Sequence, residues 1–218
     1  MTKRHIAATV LACSLSFGAC RPAAETEAPA LRRAVADKRA MGIYDALEQL
    51  IDERRDRPED RAYAYQHVRS LPDDKSAGYA FARAAIAGRL AELRGVQAGG
   101  LVGEAEQFAR QSHQRDPEFM HGAATRMLGT LYVLAPATLL RHGDSERGLE
   151  LLELLAKRHP EVPENHLRVA EAYVALGDPD PARAHMCLAK AQQARLRPVD
   201  RVLLVRLIED IGGVLACV

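Results

Sequence analysis

The chain has 218 residues, 48% of them apolar, with no tryptophan and a formal net charge of +1 in which Lys and Arg are scattered among Asp and Glu. That length holds one domain or one short repeat array with a sizeable core, and the balanced charge gives no electrostatic footprint for nucleic acid. Ala, Leu and Arg dominate and no long stretch alternates Val, Ile or Thr, so the composition reads all-α.

The first element is a processing signal rather than structure. Lys3 and Arg4 make a short positive region, and the chain from Ile6 to Ala19 is apolar or small. This stretch is shorter than the ~20 apolar residues a bilayer span needs, but it fits the apolar region of a signal peptide. It ends in Phe17-Gly18-Ala19-Cys20, which resembles the bacterial lipobox with Phe17 where leucine is usual. The resemblance implies that Cys20 is the lipid-attachment residue and the new N-terminus; Cys13, after Val10-Leu11-Ala12, is the rival acceptor, and plain cleavage without lipid is the other reading. Residues 1–20 are therefore set aside as the leader. Residues 21–30, with Pro22 and Pro29 and no apolar period, read as a flexible tether. Residues 31–218 form the expected helical repeat domain. With Arg21 rather than aspartate after the cysteine, the lipobox resemblance implies a periplasm-facing protein anchored in the outer membrane, touching the membrane through its lipid alone.

Apolar residues then recur at helical spacing almost throughout. Ile43, Leu47, Leu50 and Ile51 predict a helix over 31–55, broken by Arg57-Pro58. A short helix runs to Leu71, and Asp73 and Asp74 offer caps for a helix over 75–94. Four glycines make 95–103 a loop, and a helix follows over 104–114. Asp116-Pro117-Glu118 predicts a helix start, with the helix continuing to Leu134. The segment 136–144 is a loop containing Leu139 and Leu140, which either tuck onto the array or present an apolar contact. Helices over 145–158, 163–176 (with Gly177 as C-terminal cap), 181–195 and 198–211 complete the chain, the last with Val202, Leu203 and Ile208 on an apolar stripe. In the helix over 145–158, Leu149, Leu151, Leu152, Leu154 and Leu155 make a face wide enough for burial on more than one side.

The helices fall into similar pairs. Leu128-Gly129-x-x-Tyr132 recurs as Val169-Ala170-x-x-Tyr173 and, more weakly, as Ala87-Gly88-x-x-Ala91; second helices carry a small residue at the crossing, Ala105, Gly148 and Ala182. Asp116-Pro117 and His159-Pro160 end two of those second helices. Gly148 and Ala182 are 34 residues apart, and the pattern resembles the tetratricopeptide repeat of about 34 residues, implying stacked helical hairpins in a short solenoid with a concave binding face. By the usual geometry of such repeats the concave side takes Arg89, Arg126, Thr130, Leu134, Glu164, Glu171 and Val174. With Leu139 and Leu140, these are the candidate partner- or ligand-binding residues.

No chemistry-bearing motif stands out. There is no phosphate-cradling or dinucleotide-binding glycine motif, no HExxH and no GxSxG. The histidines never fall at i, i+4, so no metal site is read from spacing, and no cofactor or enzyme activity is expected. Cys187 and Cys217 either pair in an oxidising compartment or leave Cys187 as a packed free thiol.

One further resemblance covers 126–178. Met127-Leu128-Gly129-Thr130-Leu131-Tyr132 with Ala135-Pro136, then Gly143-Asp144-x-x-Arg147-Gly148-Leu149, then Asn165-His166-Leu167-x-x-Ala170-Glu171-x-Tyr173, resemble the T-component lipoproteins associated with TRAP transporters. The chain departs from that pattern at His142, where a second glycine is common. The resemblance implies a lipoprotein that docks an extracytoplasmic solute-binding protein and handles its hydrophobic ligand. A general envelope-assembly scaffold is the alternative reading.

Overall fold

The computed structural model describes residues 25–213 and 217. The leader 1–20, with Cys20, and the first part of the expected tether lie outside the described residues. The protein is all-helical among those residues, with ten α-helices: α1 (Pro29–Ala36), α2 (Ala40–Asp52), α3 (Pro58–Ser70), α4 (Ala77–Ala91), α5 (Gly99–Arg115), α6 (Ala123–Leu134), α7 (Ser145–Arg158), α8 (Pro163–Ala175), α9 (Pro179–Ala191) and α10 (Pro198–Asp210). None of the described helices is long and apolar enough to cross a membrane.

The helices pack as consecutive pairs. α4 lies along α5, α6 along α7 and α8 along α9, and these are the most extensive contacts in the molecule. The pairs are antiparallel: Ser112, near the end of α5, donates its hydroxyl to Ala77 O at the start of α4 (3.0 Å). The even-numbered helices also touch in sequence, α2 to α4 to α6 to α8 to α10, and α10 returns to touch α2. They therefore make a closed ring, with α3, α5, α7 and α9 packed around it.

Small residues set the closest approach. A Cβ on Gly129 would sit 2.6 Å from Leu152 Cγ and 2.9 Å from Gly148 O, and one on Gly148 would sit 2.8 Å from Gly129 O. The expected role of these glycines in the α6–α7 crossing is thus seen in atoms, and Tyr132 fills the adjoining space against Gly143 and Gly148. Gly88 differs: nothing lies within 4 Å of its would-be Cβ, so α4 is not held close to a neighbour there.

Several element boundaries differ from the sequence reading. The single helix over 31–55 is two, bent at Lys38 with φ 54°, which lets fully buried Leu31 and Ile43 reach one cluster. The expected tether is shorter: Thr26 is buried, its hydroxyl donates to buried Asp60, and Pro29 opens α1. Ser76, not Asp73 or Asp74, caps α4 by accepting from Tyr79 N at 2.9 Å. The glycine-rich stretch is helical: Gly99, Gly100 and Gly103 lie in the first turns of α5, where buried Ala98 and Val102 supply the packing that overrides poor propensity. The strong start signal at Asp116-Pro117-Glu118 gives only a turn. α6 begins at Ala123, after Met120, His121 and Gly122 at φ 49°, 52° and 74°, and Phe119 packs beside Phe81 at 5.8 Å. On α10 the buried apolar residues are Leu203, Leu204 and Leu207, while Val202 is exposed because the ring neighbours α2 and α8 meet the other face. Leu154 of α7 is likewise exposed, so that helix buries a narrower face than its leucines suggest.

Cys187 and Cys217 are joined in a disulfide, with Cα atoms 5.5 Å apart, which decides between the two readings of that pair. It ties the end of the chain to α9.

Candidate ligand-binding site

The inner sides of the ring helices carry charge. Glu48 of α2, only 6% exposed, takes a two-pronged pair from Arg89 of α4 (Nε–Oε1 2.7 Å, Nη2–Oε2 2.8 Å). Arg197, the residue before α10, reaches Glu48 as well and grips Asp52 of α2. On the other side, Arg168 of α8 bridges Glu171 (2.7 Å) and buried Asp200 of α10 (2.6 Å). Burial opposes the charge on Glu48, but the two guanidiniums outweigh it and hold the carboxyl below its usual range. Burial likewise opposes the charges on Arg89 and Arg197, and their carboxylate partners reverse it, raising both. Tyr44 of α2 stands edge-on to Phe81 at 5.3 Å, and burial, then Glu48, push its hydroxyl up to about 12.

Arg126 of α6 stands apart. Its Nη1 donates to Asn165 Oδ1 at 2.8 Å, and Asn165 is fully buried and itself donates to His159 O at 3.2 Å. Among the described residues Arg126 makes no ion pair, whereas Arg89, Arg168 and Arg197 all do. Burial lowers its pKa; Glu164 opposes this at longer range and Arg168 adds to it. The guanidinium remains charged, as arginine side chains do in proteins. A charged fork with one amide partner keeps donors for a carboxylate or phosphate.

The expected binding residues thus separate into groups. Arg89 pairs with Glu48 and Arg126 with Asn165, both within electrostatic range of Tyr44; Glu171 pairs with Arg168, and Glu164 lies in the first turn of α8 within electrostatic range of Arg126. Thr130 spends its hydroxyl on Arg126 O within its own helix (2.9 Å), Leu134 is exposed at the end of α6, and Val174 packs into the α8–α10 core. The interior residues the sequence reading missed are Tyr44, Glu48, Asn165, Arg168, Arg197 and Asp200. Glu48 left one signal, an acid beside Leu47, Leu50 and Ile51 on an apolar helix. Arg197 left none, because its partners are 145 and 149 residues away.

Leu139 and Leu140 belong elsewhere. Their loop is tucked: Leu140 packs against Leu128 and Tyr132, and buried Glu106 of α5 accepts the backbone N–H groups of Arg141 and His142, both at 2.9 Å. Together with Gly99, Gly103 and Phe108 they line a cleft of about 490 Å³, at which Arg83 lies 4.2 Å over the Phe108 ring and pairs with Glu104.

Compared with protein families and with curated proteins, the chain matches none.

Proposed function

We propose that the protein is an exported, lipid-anchored, tetratricopeptide-like helical repeat protein that binds another molecule at the inner face of its helical ring rather than catalysing a reaction. The observation that carries this reading is Arg126: an interior guanidinium without a carboxylate partner, in a lining whose other guanidiniums are all paired. An incoming carboxylate or phosphate supplies the missing partner, and a charge-assisted fork is worth more in a water-poor interior than at an open surface. Export is supported by the leader-like first twenty residues and by the Cys187–Cys217 disulfide, which persists in oxidising compartments. The repeat reading is supported by the successive antiparallel pairs and the Gly129–Gly148 crossing.

Within this reading, the resemblance over 126–178 supports a partner of one kind, an extracytoplasmic solute-binding protein of a TRAP transporter. The charged lining formed by Glu48, Arg89, Arg168, Arg197 and Asp200 favours the second reading, an envelope-assembly scaffold that takes a polar segment of its partner. Capture from native envelope extract on immobilised protein, read by mass spectrometry, separates them. Enrichment of a solute-binding protein that is lost with Arg126→Gln supports the transporter reading. Enrichment of envelope-assembly proteins alone sinks that reading and leaves the scaffold; capture that ignores Arg126→Gln removes the interior as the binding face.

A further inference from the structure

The turn between α5 and α6 and the turn between α7 and α8 lie side by side. They occupy corresponding places in two successive hairpins, Asp116-Pro117-Glu118 in one and His159-Pro160-Glu161 in the other. Here the fold assembles what spacing along the chain hid. His121, His159 and Glu161 each offer a ligand atom, and the three atoms lie within 4.8 Å of one another. The His121 and His159 rings meet edge to face, their centroids 5.7 Å apart.

His159 is the fixed member of the set. It is half-buried, with Nε2 2.8 Å from Glu118 Oε2 and Nδ1 3.6 Å from Glu161 Oε1. Glu118 in turn accepts from Arg158 at 3.0 Å. With Nε2–H donating to Glu118, the lone pair of Nδ1 faces Glu161. An imidazole that gives its far N–H to a carboxylate while its near nitrogen faces other donors is the arrangement that orients metal-binding histidines. His121 is presented by the left-handed turn Met120-His121-Gly122.

We propose that His121, His159 and Glu161 form a zinc-binding site that joins the two turns, with Glu118 as its orienting carboxylate. Two imidazoles and one carboxylate suit zinc, whereas calcium and magnesium prefer all-oxygen ligand sets. Bonds of about 2.0–2.2 Å in a tetrahedron place ligand atoms about 3.3 Å from one another. The His159–Glu161 separation is close to that already, and the exposed His121 side chain needs only to turn inward. Zinc would bridge the Nδ1 lone pair and the Glu161 carboxylate, which otherwise face each other without a proton between them. Three protein ligands leave a fourth position for water or for a donor group of a bound molecule.

The test is calorimetric titration of zinc chloride into the full chain, stripped with chelator and carrying no polyhistidine tag, near neutral pH. One saturable site per chain is expected, with calcium and magnesium giving none. His121→Asn keeps a residue that tolerates the left-handed turn, and Glu161→Gln keeps size; each is expected to lower zinc affinity at least tenfold. Glu118→Gln is expected to cost 10- to 100-fold as an outer carboxylate. Circular dichroism in chelator confirms that each variant folds, and His185→Gln, at the other histidine pair, is expected to bind zinc as the parent does. Absence of saturable binding overturns the proposal, as does affinity that survives both His121→Asn and Glu161→Gln, or affinity lost only with His185→Gln.

Discussion

Arg197 holds both carboxylate oxygens of Asp52 at 3.0 Å across 145 residues of sequence, and this pair is where the ring of helices closes. The Asp52 side chain is about a quarter exposed, but Glu48, the second partner of Arg197, is buried. Arg197→Met leaves Glu48 with one guanidinium instead of two. The expected loss is about 2 kcal/mol, below the full penalty for breaking a buried pair because solvent reaches Asp52. The midpoint of urea unfolding reads it. An Asp52→Asn variant is expected to lose less, since Arg197 then keeps Glu48; a larger loss from Asp52→Asn would contradict the ranking.

The glycines give a prediction of opposite signs. Gly129→Ala drives a Cβ into Leu152 and the Gly148 carbonyl, and helix backbone does not yield cheaply, so a loss of about 1–3 kcal/mol is expected. Gly88→Ala meets open space at ordinary helical backbone, and is expected to stabilise by about 0.5–1 kcal/mol through reduced freedom of the unfolded chain. Thermal unfolding of the two variants beside the parent decides the matter.

The Cys187–Cys217 bridge closes a loop with a sequence separation of 30. Chain-entropy arguments put its contribution at roughly 3–4 kcal/mol. Reductant is expected to lower the unfolding temperature of the parent and to leave Cys187→Ser, already lowered, unchanged. Equal sensitivity of parent and variant to reductant would show that the bridge is not the group responding.

Acid should weaken the fold through His185. Its ring lies 3.1 Å, nitrogen to nitrogen, from buried His166, whose other nitrogen faces Pro160 O at 3.0 Å; Tyr173 stacks on His185 and Glu153 lies within electrostatic range. Burial, then the proximity of His166, lowers the His185 pKa, with Glu153 opposing. A histidine depressed in the folded state binds its proton more readily when unfolded. Stability is therefore unaffected above the ordinary histidine value of about 6.5 and falls as pH drops from there toward the lowered folded value. Denaturant midpoints measured across that window should fall in the parent and be flatter in His185→Gln.

The helical class was legible because apolar residues at spacings of three and four dominate the chain, and the α6–α7 crossing was legible because two glycines had no other use in helix interiors. The start of α6 was not. Asp116-Pro117-Glu118 has every local mark of a helix start, yet Phe119 packing beside Phe81 and the left-handed turn that follows push the helix onset to Ala123. Local capping chemistry is worth about 1 kcal/mol, and an aromatic packed against the core outweighs it. The interior site was half legible. Arg89 and Arg126 sit at positions the repeat pattern selects, but the partners that distinguish them, Glu48 and Asn165, lie 41 and 39 residues away and are joined to them only by the packing of α2 on α4 and α6 on α8. The same holds for His121 and His159, brought edge to face by neighbouring turns.

The return of α10 to α2 also fixes how this architecture can change. An open row of hairpins gains or loses a unit at little cost, because each unit touches only its neighbours. Here an inserted hairpin would carry Arg197 away, leaving Asp52 without its cation and Glu48 with Arg89 alone, so gain or loss of a unit costs more than in an open row.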